Sequence, residues 1–301
     1  MGPSLVRLAR RASKRAGTPR RILAVSRFRT AGLAEALVAH GVKPIVCDLL
    51  DPHAVASLPE APNVILMAGQ KFGTTGDPGV TWARNVFLPG VVAQRFVGSR
   101  MVVFSTGNVY PLTSTNGMGS SETDPTGPIG EYAQSALARE RIVTHFSTAQ
   151  QTPVAIVRLN YAVELRYGVL RDLADRIWCR KPIDLTMGHV NVIWQRDANS
   201  VAVRALAHAA VPPFVLNVTG PGTLKVRDLA LGLGKRLGVR PVFTGREAST
   251  ALLSDASRCL ELFGPPTVPV ETLLDWVAEW VRHGGRSLAR PTHFEEREGR
   301  F

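Results

Sequence analysis

The sequence predicts an α/β fold, in which helices cover both faces of a doubly wound parallel sheet and a smaller lobe follows toward the C-terminus. Short apolar runs of strand length alternate with helical patterns through the first half of the chain. The clearest run, Met101 to Phe104, stops abruptly at Ser105, Thr106 and Gly107. In open parallel sheets, ligands lie just beyond the carboxyl ends of the strands, so this Ser-Thr pair is well placed to touch a substrate oxygen.

The composition is ordinary for a globular protein and excludes several classes. The chain has 301 residues, of which 45% are hydrophobic, and no apolar run has the length of a membrane-spanning helix. We therefore expect no membrane partner. Three scattered cysteines, Cys47, Cys179 and Cys259, indicate a reducing compartment, and we expect a cytoplasmic protein. Histidine and cysteine show no metal-ligand spacing, so we expect no metal.

The net charge of +12 raises nucleic acid as a partner, but the distribution of charge argues against it. Residues 1–30 hold nine Lys and Arg and no acid, and residues 282–301 hold five basic and three acidic residues. The rest of the chain is therefore close to neutral. An excess confined to one end is typical of a solvated helix face, and we expect no nucleic-acid partner.

Apolar periodicity and breakers predict the elements in order. The predicted helices cover residues 5–16, 31–40, 82–96, 132–149, 201–210, 226–238 and 270–283. The predicted strands cover residues 21–26, 42–48, 63–67, 101–104, 153–159 and 214–218. A loop over residues 112–127, rich in Ser, Thr, Gly and Asn, is predicted to be a mobile lid over the substrate.

Tyr132 begins the predicted helix that follows this loop. A phenol near the Ser-Thr pair can donate and accept a proton if its surroundings lower its pKa. FSTGNVYP followed by EYAQSALARE resembles the extended short-chain dehydrogenase/reductase family, the NAD-dependent epimerases and dehydratases. The resemblance implies a Rossmann-like fold and catalytic roles for Ser105, Thr106 and Tyr132. The family's lysine, four residues after the tyrosine, is replaced by Ala136, and the next cations, Arg139 and Arg141, do not have its spacing.

The N-terminus departs from the family pattern. The family begins with a strand and a GxxGxxG turn, whereas this chain begins with a basic helix, and Gly2 resembles the last glycine of that turn. We expect Gly2 to approach a cofactor and the missing strand and turn to lie in roughly 10–20 residues upstream of Met1. The alternative is an unrelated basic helix.

The resemblance also implies residues that bind a nicotinamide cofactor. Ser26 and Arg27 end the second family strand, where an arginine suits the 2′-phosphate of NADP better than the ribose hydroxyl of NAD. We expect NADP or NAD, with NADP favoured. The other predicted cofactor contacts are Asp48, Leu49, Ala68, Gly69, Gln70 and Asn85. Asp48 can equally cap a helix, and Asn85 can equally be a structural hydrogen-bonding residue.

The second half of the chain is predicted to form the substrate lobe. We expect residues 1–160 to form an N-terminally incomplete cofactor-binding domain, and residues 161–301 to form the substrate lobe with elements that return to the sheet. The predicted substrate contacts are Asn108, Asn160, His189, Asn191 and Gln195. A purely structural role is an equal alternative for the last three.

Two functions remain open at this stage. One is an NAD(P)-dependent epimerase, dehydratase or reductase that acts on a sugar, sugar nucleotide or related polyol. The other is a catalytically impaired protein that binds NAD(P) or a nucleotide sugar, which Ala136 favours. The resemblance also implies a homodimer formed through the helices at residues 82–96 and 132–149.

Overall fold

The computed structural model describes all 301 residues, which form a mixed α/β structure. The helices are α1 (Gly2–Arg15), α2 (Leu33–Val38), α3 (Pro52–Ala56), α4 (Pro78–Trp82), α5 (Leu88–Arg95), α6 (Gly130–Gln150), α7 (Val169–Trp178), α8 (Gln195–Arg204), α9 (Val226–Leu237), α10 (Ser257–Phe263) and α11 (Val270–Arg282). The strands are β1 (Leu23–Ser26), β2 (Lys43–Val46), β3 (Asn63–Leu66), β4 (Arg100–Thr106), β5 (Thr113–Ser114), β6 (Val154–Leu159), β7 (Ala162–Val163), β8 (Ile183–Asp184), β9 (His189–Val190), β10 (Ile193–Trp194), β11 (Phe214–Val218), β12 (Leu224–Lys225), β13 (Phe243–Thr244) and β14 (Thr250–Ala251). None of the helices is both long enough and apolar enough to cross a bilayer.

The central sheet is parallel and has the order β11-β6-β4-β3. Strands β4 and β6 lie in its middle and are almost entirely buried, as the unbroken apolar runs of both strands predicted. β1 and β2 form a separate parallel pair, and no hydrogen bonds join β1 to β3. The predicted doubly wound parallel sheet is therefore confirmed in its central strands.

Three large apolar clusters hold the elements together. One packs β3, β4 and β6 against α3, α5 and α6, and a second packs the other face of β4, β6 and β11 against α1 and α8. The largest cluster joins α7, α9 and α11 to the short strands β7, β8 and β9. Strand β11 belongs to the central sheet although it lies late in the sequence. The chain therefore returns to the central sheet after α7 and the short strands of the largest cluster.

The predicted helix over residues 82–96 is extended and interrupted. It begins at Pro78, because the Asp77 side chain accepts a hydrogen bond from Val80 N (3.0 Å) and proline suits the first turn. Residues 83–87 form a π-helical turn before α5. Pro89 has no N–H to donate to the carbonyl of Asn85 four residues earlier, which disturbs the regular α-helical bonding.

The loop over residues 112–127 is anchored, which differs from the predicted mobile lid. Its strand β5 pairs with β14, and Ser120 N donates to the carbonyl of Leu253 (3.0 Å). Glu122 accepts a hydrogen bond from Asn217 N (2.8 Å). Main-chain bonds to β14 and Leu253, together with the Glu122 side chain on β11, therefore anchor the loop.

Candidate active site

The carboxyl ends of β3 and β4 bring the predicted site residues together. The two strands are parallel neighbours, with Leu66 opposite Val103, so both chains leave the sheet at the same edge. The segment Ala68-Gly69-Gln70 follows β3, and Ser105 and Thr106 end β4. A parallel register therefore places residues far apart in sequence at one position in space.

Tyr132 lies in the first turn of α6, next to Thr106. Burial raises the pKa of the Tyr132 phenol, while a hydrogen bond with Thr106 and the positive charge of Arg139 act in the opposite direction. Thr106 Oγ1 also donates to Asn108 Oδ1 (2.9 Å) and accepts from Asn108 N (3.2 Å). The structure thus groups the predicted residues Thr106, Asn108 and Tyr132.

Ser105 points into a different, fully buried network. Its hydroxyl donates to Glu140 Oε1 (2.5 Å), and Glu140 accepts from Arg158 Nη2 (2.7 Å) and Nε (3.0 Å). Arg158 Nη1 in turn donates to the Tyr110 hydroxyl (2.6 Å). The hydrogen bonds and charge of Glu140 raise the pKa of Arg158, and they outweigh the opposite effect of burial. Ser105 is therefore held by Glu140, whereas Thr106 is the hydroxyl residue next to Tyr132.

Asn85 joins the π-helical turn to the end of β3. Its Oδ1 accepts from Gln70 N (2.7 Å), and its Nδ2 donates to Gln70 O (2.9 Å) and to Ser135 Oγ (2.9 Å). Gln70 Oε1 also accepts from Arg84. The side chain is fully buried, so all its polar atoms are used within the protein. Asn85 therefore fixes the loop after β3 against α6.

Arg139 completes this group, although its spacing from Tyr132 argued against it. Its Nε donates to Asn85 O (3.0 Å), Nη1 to Phe104 O (2.8 Å) and Nη2 to Asn85 Oδ1 (2.7 Å). Seven residues turn an α-helix by about 700°, which is only about 20° short of two full turns. Arg139 therefore lies on the same face of α6 as Tyr132, about two turns further along the helix.

The predicted adenosine contacts lie at the carboxyl ends of β1 and β2. Arg27 Nη1 and Asp48 Oδ2 are 3.6 Å apart, and their side chains are 35% and 46% exposed. Ser26 Oγ accepts from Phe28 N (3.3 Å), and Asp48 Oδ1 accepts from Leu50 N (3.1 Å). Leu49 packs against the cluster formed with β3 and α5. The Arg27 and Asp48 side chains remain accessible to a ligand.

Gly2 is the first residue of α1, and a Cβ added there would meet nothing within 4 Å. The first turn is held by α8, because Ser4 Oγ accepts from Gln195 Nε2 (2.9 Å) and Asn199 Nδ2 (3.0 Å). Gln195, predicted at a strand edge as a substrate contact, begins α8 and touches α1. Open space at Gly2 leaves room for a ligand group at this helix end.

The remaining predicted substrate residues differ in their surroundings. Asn160 lies beside the turn that carries Thr106 and Asn108, because a Cβ added to Gly107 would be 3.0 Å from Asn160 Cγ. Asn160 is buried and donates to Leu252 O (3.4 Å). Asn191 donates to Gly222 O (2.8 Å) and accepts from Ser254 N (2.9 Å). His189 lies in β9, and its buried Nδ1 has no hydrogen-bond partner. Asn160 and Asn191 therefore connect loops of the second half of the chain.

The C-terminal segment, residues 292–301, lies across the Tyr132 group. The Phe301 ring packs edge-on against the Tyr132 ring, with 5.5 Å between centroids, and Phe301 O accepts from Thr74 N (3.0 Å). Lys71 Nζ lies 4.9 Å from the Phe301 ring and donates to Thr292 O (2.9 Å). Burial lowers the pKa of Lys71 to about 8. The segment therefore covers one side of the tyrosine.

Known proteins share this sequence pattern and architecture. The sequence model of the NAD dependent epimerase/dehydratase family matches residues 6–163, more than half of the chain. The chain belongs to the NAD-dependent epimerase/dehydratase family. No curated protein sequence matches it.

Solved structures of low sequence identity share the fold. The UDP-glucuronic acid 4-epimerase of Bacillus cereus in complex with NAD is 17% identical, with a TM-score of 0.76 over 93% of this chain and 95% of that chain. A UDP-glucose 4-epimerase of Thermus thermophilus in complex with NAD is 17% identical, with a TM-score of 0.70 over 87% of this chain and 99% of that chain. RMD of Pseudomonas aeruginosa complexed with NADPH is 19% identical, with a TM-score of 0.70 over 88% and 100%. These similarities confirm the Rossmann-like fold.

Within this epimerase/dehydratase fold, three contacts of the site were missed by sequence reasoning. They are Arg139, Lys71 and Phe301. Arg139 carried a usable signal, since a basic residue on the apolar face of a helix, two turns after a candidate tyrosine, is unusual. Lys71 and Phe301 carried none, because their contacts depend on how the C-terminal segment crosses the sheet edge.

Proposed function

We propose that this chain is a nicotinamide-dependent epimerase or dehydratase that acts on a nucleotide sugar. The observation that carries the proposal is the position of Tyr132 beside Thr106, in the first turn of α6 and at the carboxyl edge of the parallel sheet. Membership of the family supports the reaction class, and the UDP-sugar epimerases of similar fold support the substrate class. The identity of the sugar is left to experiment.

The side chains at this edge suit proton transfer at a sugar hydroxyl. Tyr132, in its ionised form, is proposed to take the proton from the substrate oxygen and to become a neutral phenol, since a tyrosinate within hydrogen-bond reach can act as a general base. Thr106 is proposed to hold the same oxygen through its hydroxyl. When bound, the nicotinamide supplies hydride transfer, which none of the amino-acid side chains can provide. Ser105 can bind the substrate oxygen only if its hydroxyl gives up its hydrogen bond to Glu140.

The residues present fit the adenosine end of such a cofactor. Arg27 and Asp48 are accessible at the ends of β1 and β2. Arg27 is proposed to meet a 2′-phosphate, because guanidinium–phosphate hydrogen bonds are charge-assisted. We therefore propose NADP as the preferred cofactor, with NAD as the alternative.

A second candidate function is a protein that binds the cofactor or the nucleotide sugar without turnover. Two observations favour it. Ala136 offers no cation one turn after Tyr132, and the Phe301 ring occupies space against the Tyr132 ring. On this alternative, Tyr132 shapes the pocket and transfers no proton.

Direct binding and turnover measurements test both functions. Nicotinamide fluorescence should report binding of NADPH and NADH to the full chain, with the tighter binding for NADPH. UDP-glucose and UDP-glucuronic acid are the first substrates to assay, by separation of the product epimers. We expect Tyr132→Phe to reduce kcat by at least about 100-fold, the scale of general acid–base catalysis.

The matched control for that variant is Tyr161→Phe, which removes a phenol whose hydroxyl makes only a long contact to Phe294 O (3.4 Å). It should keep most of the activity. Cofactor binding with no turnover of any UDP-sugar supports the binding protein instead. Absence of binding of NADPH and NADH contradicts the enzyme, and absence of UDP-sugar binding as well contradicts the binding protein.

A further inference from the structure

Arg139 is a buried cation that has no anionic partner. Its side chain is 7% exposed, and its three hydrogen bonds all go to neutral oxygens of Asn85 and Phe104. The adjacent carboxylate, Glu140, is paired with Arg158. Burying a charge destabilises a protein unless an opposite charge compensates it. An unpaired guanidinium at this position therefore indicates a role beyond packing.

Helix α6 carries Arg139 and Tyr132 on the same face, about two turns apart. Side chains of a helix tilt toward its N-terminus, so the long Arg139 side chain extends back toward the first turn. Ala136 lies between the two residues on the same side of the helix and contributes only a methyl group. The path from Arg139 to the tyrosine is therefore not blocked by a large side chain.

Two neighbouring residues hold the guanidinium at this place. A Cβ added to Gly69 would lie 2.5 Å from Arg139 Nη2, so only glycine permits this close approach. Pro89 has no N–H to donate to the carbonyl of Asn85, and Arg139 Nε donates to that carbonyl. The arginine is thus fixed by the loop after β3 and by the π-helical turn.

We propose that Arg139 is a positioning residue for Tyr132, whose fixed positive charge holds the tyrosine ready to accept a proton from the substrate hydroxyl. The inference rests on the function proposed above. In the step, the tyrosinate oxygen takes the hydroxyl proton and becomes a neutral phenol, while Arg139 stays charged. Burial raises the pKa of Tyr132 overall, and the charge of Arg139 acts in the opposite direction, as this role requires.

The ionisation of Tyr132 can be measured without substrate or cofactor. Replacing the four tyrosines with 3-fluorotyrosine, whose phenol is more acidic, gives one 19F NMR signal for each. Tyr132→Phe assigns the signal of interest, and the other three tyrosines report on the integrity of the fold. The position of the Tyr132 signal is then followed as a function of pH.

We expect Arg139→Gln to lower the acid dissociation constant of Tyr132 at least tenfold, and Arg139→Lys to retain most of the wild-type value. Arg141→Gln is the matched control, because it removes the same charge from an exposed position two residues later on α6. It should leave the titration unchanged. Where turnover is detected, the pH profile of kcat should move with the titration.

Because Arg139→Gln can fail to fold, Asn85→Asp provides a second test. It places a carboxylate on the guanidinium, and neutralising the charge in this way should also lower the dissociation constant of Tyr132. The inference is overturned if the acid dissociation constant of Tyr132 is the same in wild type, Arg139→Gln and Asn85→Asp. A shifted titration without turnover of any UDP-sugar keeps the electrostatic inference and contradicts only the proposed reaction.

Discussion

At the level of single residues, the carboxylate of Glu140 serves the structure beside the candidate site. It accepts from Ser105 and makes a two-pronged pair with Arg158, and both members of the pair are almost fully buried. Arg158 continues the network to the Tyr110 hydroxyl, which donates to Asn217 Oδ1 (2.9 Å). The network therefore ties β4, β6, β11 and α6 together.

Replacing Glu140 with Gln is expected to destabilise the protein by about 3–5 kcal/mol. Arg158 loses its anion and becomes an uncompensated buried cation, which is the costly way to break such a pair. Urea unfolding followed by circular dichroism measures the free energy of unfolding. Glu261→Gln, on an exposed position of α10, is the control and should change it by less than about 0.5 kcal/mol. A loss below about 1 kcal/mol for Glu140→Gln contradicts the structural role.

At the level of elements, the C-terminal segment is held at Thr292, which makes hydrogen bonds with both Asp172 and Lys71. The Thr292 amide and hydroxyl donate to Asp172 Oδ2 of α7 (2.7 and 2.6 Å), and the Thr292 carbonyl accepts from Lys71 Nζ (2.9 Å). Burial raises the pKa of Asp172 to about 6 from its ordinary 3.8, against the effect of the Thr292 hydrogen bonds. The attachment of the segment to α7 therefore depends on a titrating carboxylate.

This raised pKa gives a pH dependence with a definite sign. Native Asp172 binds its proton more tightly than the unfolded chain does, so its contribution to stability is complete below pH 3.8 and is lost as pH rises through about 6. The amide introduced by Asp172→Asn cannot titrate. Relative to wild type, we therefore expect this variant to gain stability between about pH 4 and pH 6.5.

The relative gain is at most about 3 kcal/mol, because a tenfold change in proton affinity corresponds to about 1.4 kcal/mol. The free energy of unfolding at a series of pH values measures it. Asp228→Asn removes an exposed carboxylate from α9. The pH dependence of its free energy of unfolding should be the same as that of wild type. If the free energy of unfolding of Asp172→Asn also has the same pH dependence as that of wild type, the pKa of Asp172 is not raised in the folded protein.

At the scale of the whole molecule, the helices beside the site expose two large aromatic side chains. Trp82 is 40% exposed and Phe87 is 51% exposed, at the end of α4 and in the π-helical turn. These elements pack against α6, where Gly90 lies close to Ile142 and Phe146. We propose that this surface forms the homodimer that the family resemblance implied.

Phe87→Asp is expected to convert the dimer to a monomer, because a charge in an apolar interface must be desolvated without a partner. Light scattering coupled to size-exclusion chromatography measures the molar mass. Trp178→Asp places the same charge on an aromatic position of α7 that is 45% exposed, and it should leave the mass unchanged. A wild-type mass of 32.6 kDa contradicts the proposed dimer.

Local sequence patterns predict much of the secondary structure of this protein. The apolar runs of β4 and β6 predict buried central strands, the pattern around Tyr132 predicts a long helix, and both are confirmed. Apolar alternation and breakers act over a few residues, so they can be read without knowledge of the fold. The same patterns identified the family, because its motif lies within one strand, one turn and one helix.

Contacts between distant segments could not be read in this way. The pairing of Ser105 with Glu140, the contact of Arg139 with Gly69 and the position of Phe301 on Tyr132 depend on which faces meet in space. The division of the strands into a central sheet and the separate pair β1-β2 is equally a property of long-range pairing. Local sequence thus specifies the strands, the helices and the position of Tyr132 on α6. Packing between distant segments decides which side chains surround it, including Phe301.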